Sequence, residues 1–173
     1  GGEVTALNAS AKHLTAFLES LRLTGAQIEV DSDRITARAT NGLAAIDVST
    51  LPYPGFPTDL QAQTMALLTV CRGSSHITET VFENRFMQVA ELVRMGARIE
   101  VEGNMAHVTG VDRLSGAPVM ASDLRASAAL IIAGLVAESG ETAISRVYHI
   151  DRGYERIEER LAALGADIRR IGN

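Results

Sequence analysis

Residues 92–104, LVRMGARIEVEGN, decide how this chain is read, because the same outline occurs twice more, as LRLTGAQIEVDSD at 21–33 and LAALGADIRRIGN at 161–173. Each reads as the end of a helix, a glycine and then a strand, and glycine just past the last helical residue is the favoured stop. The marker glycines are 71 positions (25 to 96) and 69 positions (96 to 165) apart, so the period is about 70. A second pair agrees: DLQA from Asp59 and DLRA from Asp123 both open apolar helices, 64 positions apart (59 to 123). One period predicts a strand over 44–49, a helix over 59–72, a strand over 74–79, a helix over 84–95 and strands over 97–102 and 105–109. That is a βαβαββ unit. The pattern resumes at Ala117 and stops after a strand over 166–171, and the chain begins within an earlier unit whose first strand and helix are absent. The expectation is a single domain over 1–173, divided into a partial repeat (1–43), a repeat (44–116) and a partial repeat (117–173). Since repeats bury their apolar faces against neighbours, the chain reads as a piece of something larger. An open strand edge and an unpaired core face would then favour oligomers.

The helices that begin at Asp59 and Asp123 are apolar nearly all round, the pattern of a helix enclosed on every side. The run Arg34-Ile35-Thr36-Ala37-Arg38-Ala39-Thr40 alternates instead, as a strand with one wet face does. Sheets outside and helices inside follow. Apolar residues make up 46% of the 173, mostly Ala, Leu, Ile and Val, with 4% aromatics and no Trp, so the core is aliphatic. A net charge of -5 argues against a general nucleic-acid binder, which needs a basic face. The lone cysteine, Cys71, excludes a disulfide framework and sits in the apolar run MALLTVC, where it reads as buried and structural. No secretory leader is visible, Asn8-Ala9-Ser10 is read as a chance glycosylation triplet, and a cytoplasmic protein is expected. Residues 128–137, AALIIAGLVA, are ten apolar residues, against the ~20 that a membrane span needs. Metal-ligand clusters, phosphate-cradling glycine loops and hydrolase serine motifs are not found.

Three of the four prolines fall within LPYPGFPTDLQ at 51–61. Proline fixes φ and biases the residue before it toward extended backbone, so Leu51, Tyr53 and Phe56 are non-helical. Thr58 and Gln61 have the spacing of a capping box, which would leave the Asp59 carboxylate free; alternatively Asp59 is itself the cap. In repeated β-to-α connections the helix N-termini should share an edge that favours anions. Arg85, Arg125 and Arg152 all fall at or near predicted helix starts, each beside an acid or amide. They make either local salt bridges or a phosphate or carboxylate site.

The runs PYPGFPTDLQAQ, ITETVFENRFMQVAELVRMGA, SDLRASAALIIAGLVAE and YHIDRGYERIEERLAALGA resemble the UDP-N-acetylglucosamine 1-carboxyvinyltransferase family of enolpyruvyl transferases, over essentially the whole chain. The resemblance implies mixed α/β domains built of βαβαββ repeats, an inside-out barrel or prism with helices inside, in which two such domains enclose the substrates. It implies transfer of enolpyruvyl from phosphoenolpyruvate to the 3'-hydroxyl of UDP-N-acetylglucosamine, by addition and then elimination of phosphate, as the committed step of peptidoglycan synthesis. No metal or organic cofactor is implied. By the same resemblance Asp59 contacts the sugar hydroxyl and is the general base, and Val81 contacts the nucleotide sugar through its backbone. Arg152 would bind the phosphoenolpyruvate anion, and Arg85, Asp123 and Arg125 would line the cleft. The N-terminal catalytic domain, which carries the general acid on a flexible loop, is missing, and Cys71 cannot replace it. The chain alone is therefore expected to be inactive. The competing readings are a noncatalytic nucleotide-sugar-binding or structural module of the same fold, and an enzyme of the 3-phosphoshikimate type.

Overall fold

The structure, a computed structural model, describes residues 2–39 and 42–172. Helices α1 (Thr15–Leu23), α3 (Val89–Arg94) and α5 (Ile157–Ala163) each stop at a marker glycine, and Gly25, Gly96 and Gly165 share the left-handed φ values of 94°, 95° and 94°. After α3 the N–H of Gly96 donates to Val93 O at 2.9 Å and that of Ala97 to Leu92 O at 3.0 Å; Gly165 and Ala166 repeat both bonds with Ala162 and Leu161. This double bond pattern satisfies the last helical carbonyls and turns the chain back.

Strands β1 (Glu3–Leu7), β2 (Gln27–Val30) and β3 (Arg34–Arg38) form an antiparallel sheet in the order β1-β3-β2. Strands β4 (Val48–Ser49), β5 (Ser74–Thr78), β6 (Arg98–Glu102) and β7 (Met105–Thr109) form the order β4-β5-β7-β6, so the last three strands repeat the arrangement of the first sheet. Helix α2 (Gln61–Leu68) joins β4 to its parallel neighbour β5. Strands β8 (Leu114–Ser115), β9 (Pro118–Met120), β10 (Ala137–Ser139) and β11 (Ala143–Ser145) make two parallel pairs, β8 with β10 and β9 with β11, across helix α4 (Leu124–Val136).

Helices α2 and α4 pack on each other. Met65 and Leu68 of α2, Ala129, Leu130 and Ala133 of α4, and Ile77, Ala106 and Val108 from the inner face of the sheet share one core, closed by Leu92 and Met95. Alternation along β5 buries Ser75 and Ile77 and exposes Ser74 and His76, the period of two that a half-buried strand requires. Along β3, Ile35 is buried and Ala37 half-buried, while Thr40, which closes the alternating run, lies outside the described residues. Gly1, Asn41 and Asn173 do so as well. Cys71 is buried in the α2 core, and burial pushes its thiol up to about 11. No helix among the described residues is long and apolar enough to cross a membrane.

Several boundaries differ from those expected. The strand over 44–49 is confined to Val48–Ser49, preceded by a single bridge from Ala44 to Arg72. The helix over 59–72 becomes a 3-10 turn at Thr58–Leu60 followed by α2, and it ends at Leu68 because the buried Thr69 is claimed elsewhere. Its carbonyl accepts the Val111 N–H at 2.7 Å and its hydroxyl donates to Ala66 O at 2.7 Å. The helix over 84–95 starts only at Val89, since Asn84 has φ 55° and the N–H groups of Val81 and Phe82 donate to the Glu79 carboxylate. Residues 166–171 form no strand: β6 is held by β7 in the middle unit, and no described strand stands beside 166–171 in that place. Helix α4 is enclosed along its first ten residues, but Leu135 and Val136 near its end are exposed. Val4, Leu7 and Val30 of the first sheet are exposed too.

Gly110 tests how tightly the sheet meets the end of α2. A Cβ there would stand 1.7 Å from Cys71 O, whereas a Cβ at Gly96 meets nothing within 4 Å and is opposed only by its φ. Gly96→Ala is expected to cost ~1–2 kcal/mol, the left-handed penalty for an L residue. Gly110→Ala is expected to cost more, because backbone must move; equal urea midpoints for the two variants would contradict this packing.

Candidate active site at the helix starts

The proline loop is pinned at both ends. Leu51 N–H donates to Phe56 O and Gly55 N–H to Pro52 O, both at 2.9 Å, and Phe56 is buried with its ring edge-on to Phe17 at 6.1 Å between centroids. The loop delivers the 3-10 turn Thr58–Leu60 at the start of α2, and neither expected capping arrangement occurs there. Pro57 precedes the turn, Leu60 precedes α2, and neither start has a side-chain cap. Thr58 donates its hydroxyl to Glu79 Oε2 at 2.8 Å, and Gln61 is buried, accepting from Gln88 Nε2 at 3.1 Å. Tertiary partners outcompete the local box.

Asp59 points instead across to the start of α4. Its Oδ1 accepts from Arg125 Nε at 2.6 Å and lies 2.5 Å from Nη2, a contact between residues 66 positions apart. Arg85 Nη1 lies 3.9 Å from the same oxygen. That nitrogen is buried and has no hydrogen-bond acceptor among the described residues, while the guanidinium stacks 4.2 Å from the centre of the Phe82 ring. Asp59 thus sits between two cations while its own side chain is 66% exposed. Arg125 is placed by Asp123, whose extended backbone ends in a true N-cap: Oδ1 accepts from the N–H of Arg125 at 2.8 Å and of Ala126 at 3.0 Å. Asp123 is therefore engaged with the helix start rather than with Arg125's guanidinium.

Arg152 ends the 3-10 turn Val147–Arg152 and is exposed, five positions before α5 begins at Ile157 rather than at a helix start. The acid beside it, Asp151, is taken by Arg170 in two bonds of 2.6 and 2.9 Å, so Arg152 has no ion-pair partner among the described residues. Its turn is tied to the same helix ends: a Cβ at Gly153 would stand 3.0 Å from Leu124 Cδ2, and Gln63 Nε2 donates to Tyr154 Oη at 3.5 Å. Arg85 and Arg125 are thus ion-paired with Asp59 rather than with the acid or amide beside each in sequence, while Arg152 has no ion pair among the described residues. The structure joins Asp59, Arg85 and Arg125 directly and sets the turn of Arg152 against the start of α4.

Val81 is half-buried, and its N–H donates to Glu79 Oε1 at 2.9 Å. Glu79 is the residue that the sequence reading missed. It is 3% exposed, and its carboxylate also accepts from the Thr50 hydroxyl at 2.8 Å and the Phe82 N–H at 3.1 Å. Burial pushes its carboxyl up, but the bonds from Thr50, Val81, Thr58 and Phe82 together outweigh burial and hold it below the usual glutamate range. The signal was alternation: Ser75 and Ile77 face inward along β5, and two further residues put Glu79 on the same side. A separate cavity of about 360 Å³ lies between Lys12–Phe17 and Tyr53–Pro57 and contains none of the six expected site residues.

Sheets packed over two buried helices in a mixed α/β domain are the fold shared with solved enolpyruvyl transferases. The sequence model of the EPSP synthase (3-phosphoshikimate 1-carboxyvinyltransferase) family matches residues 1–161, and the chain belongs to that family. It is 61% identical over 173 residues to the UDP-N-acetylglucosamine 1-carboxyvinyltransferase of Magnetococcus marinus, covering 99% of this chain and 41% of that protein. To the protein of the same name from Azorhizobium caulinodans it is 59% identical over 172 residues, covering 99% and 40%. Among solved structures, the enolpyruvyl transferase NikO from Streptomyces tendae superposes with a TM-score of 0.82 at 31% identity, over 90% of this chain and 36% of that one. An EPSP synthase from Acinetobacter baumannii, at TM-score 0.65, 19% identity and 99% and 40% coverage, shares the fold. The chain spans about two-fifths of the length of the curated relatives it matches.

The depressed Glu79 carboxyl makes a pH prediction. Its folded-state pKa lies below the unfolded value of ~4.3, so its stabilisation is complete above that value and is lost as pH falls through the folded one. Thermal melts of wild type and Glu79→Gln are expected to differ by a constant gap from pH 7 down to about 5, and by a narrowing gap below ~4.3. A gap that widens toward acid would mean that Glu79 is held protonated.

Proposed function

We propose that this chain is the C-terminal lobe of a cytoplasmic UDP-N-acetylglucosamine 1-carboxyvinyltransferase, with its acid-bearing lobe outside the sequence at hand. In this reading residues 1–43, 44–116 and 117–173 are a partial repeat, a repeat and a partial repeat of one domain. The observation that carries it is Asp59 Oδ1 held at 2.5–2.6 Å by Arg125 with Arg85 at 3.9 Å, at the starts of two buried helices. The identity of 61% to a relative of that name supports it.

The chemistry follows from those groups. Arg85, Arg125 and Arg152 attract the phosphate and carboxylate of phosphoenolpyruvate. An anion that draws Arg125 away leaves Asp59 Oδ1 open to the 3'-hydroxyl of the sugar, so substrate exposes the base. The hydroxyl gives its proton to Asp59 while its oxygen bonds C2 of phosphoenolpyruvate, and C3 takes a proton from an acid on the other lobe. The C2–O bond to phosphate then breaks, C3 returns a proton, and the enolpyruvyl ether and inorganic phosphate leave. Because the N–H of Val81 is committed to Glu79, its carbonyl is the backbone group that would accept from the nucleotide sugar. Asp123 serves by holding the start of α4, and with it Arg125, in place.

Joined to the missing lobe, the chain is expected to release phosphate only when phosphoenolpyruvate and UDP-N-acetylglucosamine are both present, and the chain alone to release none. Turnover with shikimate 3-phosphate and not with the nucleotide sugar would move the protein to the other branch of the family. Turnover with neither acceptor would favour a noncatalytic module.

Asp59→Asn in the same two-lobed enzyme is expected to lower kcat by ~100- to 10,000-fold, the usual loss with a general base. Its melting should scarcely change, since exposed ion pairs contribute ~0–1 kcal/mol. A variant that melts normally and keeps most of its kcat would reduce Asp59 to a surface partner of Arg125.

A further inference from the structure

We propose that Glu79 is a positioning residue that locks the turn bearing Asp59 to the loop bearing Val81 and Arg85, so that one buried carboxylate sets the spacing of the site; this rests on the role given to Asp59 above. The two oxygens divide the work. Oε2 accepts from Thr58, the residue before Asp59, at 2.8 Å. Oε1 accepts from the N–H groups of Val81 at 2.9 Å and Phe82 at 3.1 Å, and Phe82 carries the ring on which Arg85 stacks. The carboxylate itself is anchored to the sheet. Its fourth donor is the Thr50 hydroxyl at 2.8 Å, just past β4, and Thr50 in turn accepts the Thr80 N–H at 2.9 Å. Behind it the Glu79 N–H donates to Asn104 O at 2.8 Å and Asn104 Nδ2 donates to Glu79 O at 3.1 Å, fixing the backbone to the turn between β6 and β7.

An acceptor-only group with two oxygens can gather four donors from three segments, which no neutral side chain of this size does. With the group 3% exposed, an unmade bond is not replaced by bulk water. The bonds are charge-assisted and so short and directional. A base must stand within hydrogen-bond reach of its proton, and a misplacement of ~1 Å can cost ~100-fold in rate. Glu79 touches no reacting atom in this scheme; it acts through Thr58 and through Val81 and Phe82.

The test uses the two-lobed enzyme and three substitutions. Thr58→Val cuts one arm and keeps the side-chain shape, Thr58→Ser restores the hydroxyl, and Glu79→Asp keeps the charge but is one methylene too short to reach both loops. Assayed where circular dichroism shows every variant folded, Thr58→Val is expected to lower kcat by ~10- to 100-fold with KM for phosphoenolpyruvate nearly unchanged, and Thr58→Ser to recover most of the loss. Independently of any substrate, hydrogen exchange should accelerate in both 57–61 and 80–86 for Glu79→Asp. An unchanged kcat in Thr58→Val, a loss that Ser does not rescue, or faster exchange in only one of the two loops would overturn the proposal. If wild type turns over neither acceptor, the proposed reaction fails, while the exchange measurement still decides the role of Glu79.

Discussion

Helices α2 and α4 are buried along most of their length, α2 even at its polar Gln61 and Thr64, and the packing of one against the other is the constraint from which the rest of the fold follows. Neither could stand on a surface, because exposing such apolar area costs ~25 cal/mol for each Å². Each therefore lies inside, reached from a strand in an outer sheet and followed by a strand parallel to the first. Both connections run from a strand through a helix to a parallel neighbour, and the two helices start at the same edge. Asp59 and Arg125, remote in sequence, meet there at 2.5 Å.

What holds that edge is polar, and it is built differently in the two units. At α4, Asp123 satisfies two free N–H groups of the first turn, the ordinary use of an acidic cap. At α2 no side chain caps the start, and the turn is held from outside by Glu79 through Thr58. The difference frees Asp59. A carboxylate that capped its own helix would be turned back onto the backbone; this one projects toward Arg125 and Arg85.

The sequence carried the parts that are periodic or local. Glycine stops at 25, 96 and 165 could be read because the αL requirement leaves few other residues suitable, and their φ values agree within a degree. Buried α2 and most of α4 could be read from composition alone. Illegible were features in which a local pattern loses to a distant partner. The capping box at Thr58 and Gln61 was a sound local motif, but Glu79, 21 positions on, takes the hydroxyl, and Gln88, 27 positions on, takes the amide. The helix expected from residue 84 fails for the same reason, since Glu79 holds the N–H groups of 81 and 82. Of the six expected site residues, Asp59, Arg85 and Arg125 come together directly; Asp123 is taken up by capping, and Val81 has given its N–H to Glu79.

A chain of net charge -5 can still present cations to an anion if its acids are committed elsewhere, and that is how this edge is arranged. Asp123 is spent on backbone N–H groups rather than on the guanidinium two residues away. Asp151 and Glu158 are both held by Arg170, which leaves Arg152 without either. Glu79 is enclosed among hydroxyls and amides, so its charge is balanced by dipoles rather than by Arg85. Among the described residues only Asp59 is ion-paired with Arg85 and Arg125, through contacts on an exposed carboxylate that solvent screens and that contribute little to stability. Such a pair is easily exchanged. In the function proposed above, a phosphate would bring more charge and more acceptor oxygens to Arg125 and Arg85 than one carboxylate can, so the weakness of the ion pair would let the same residues bind an anion and release a base.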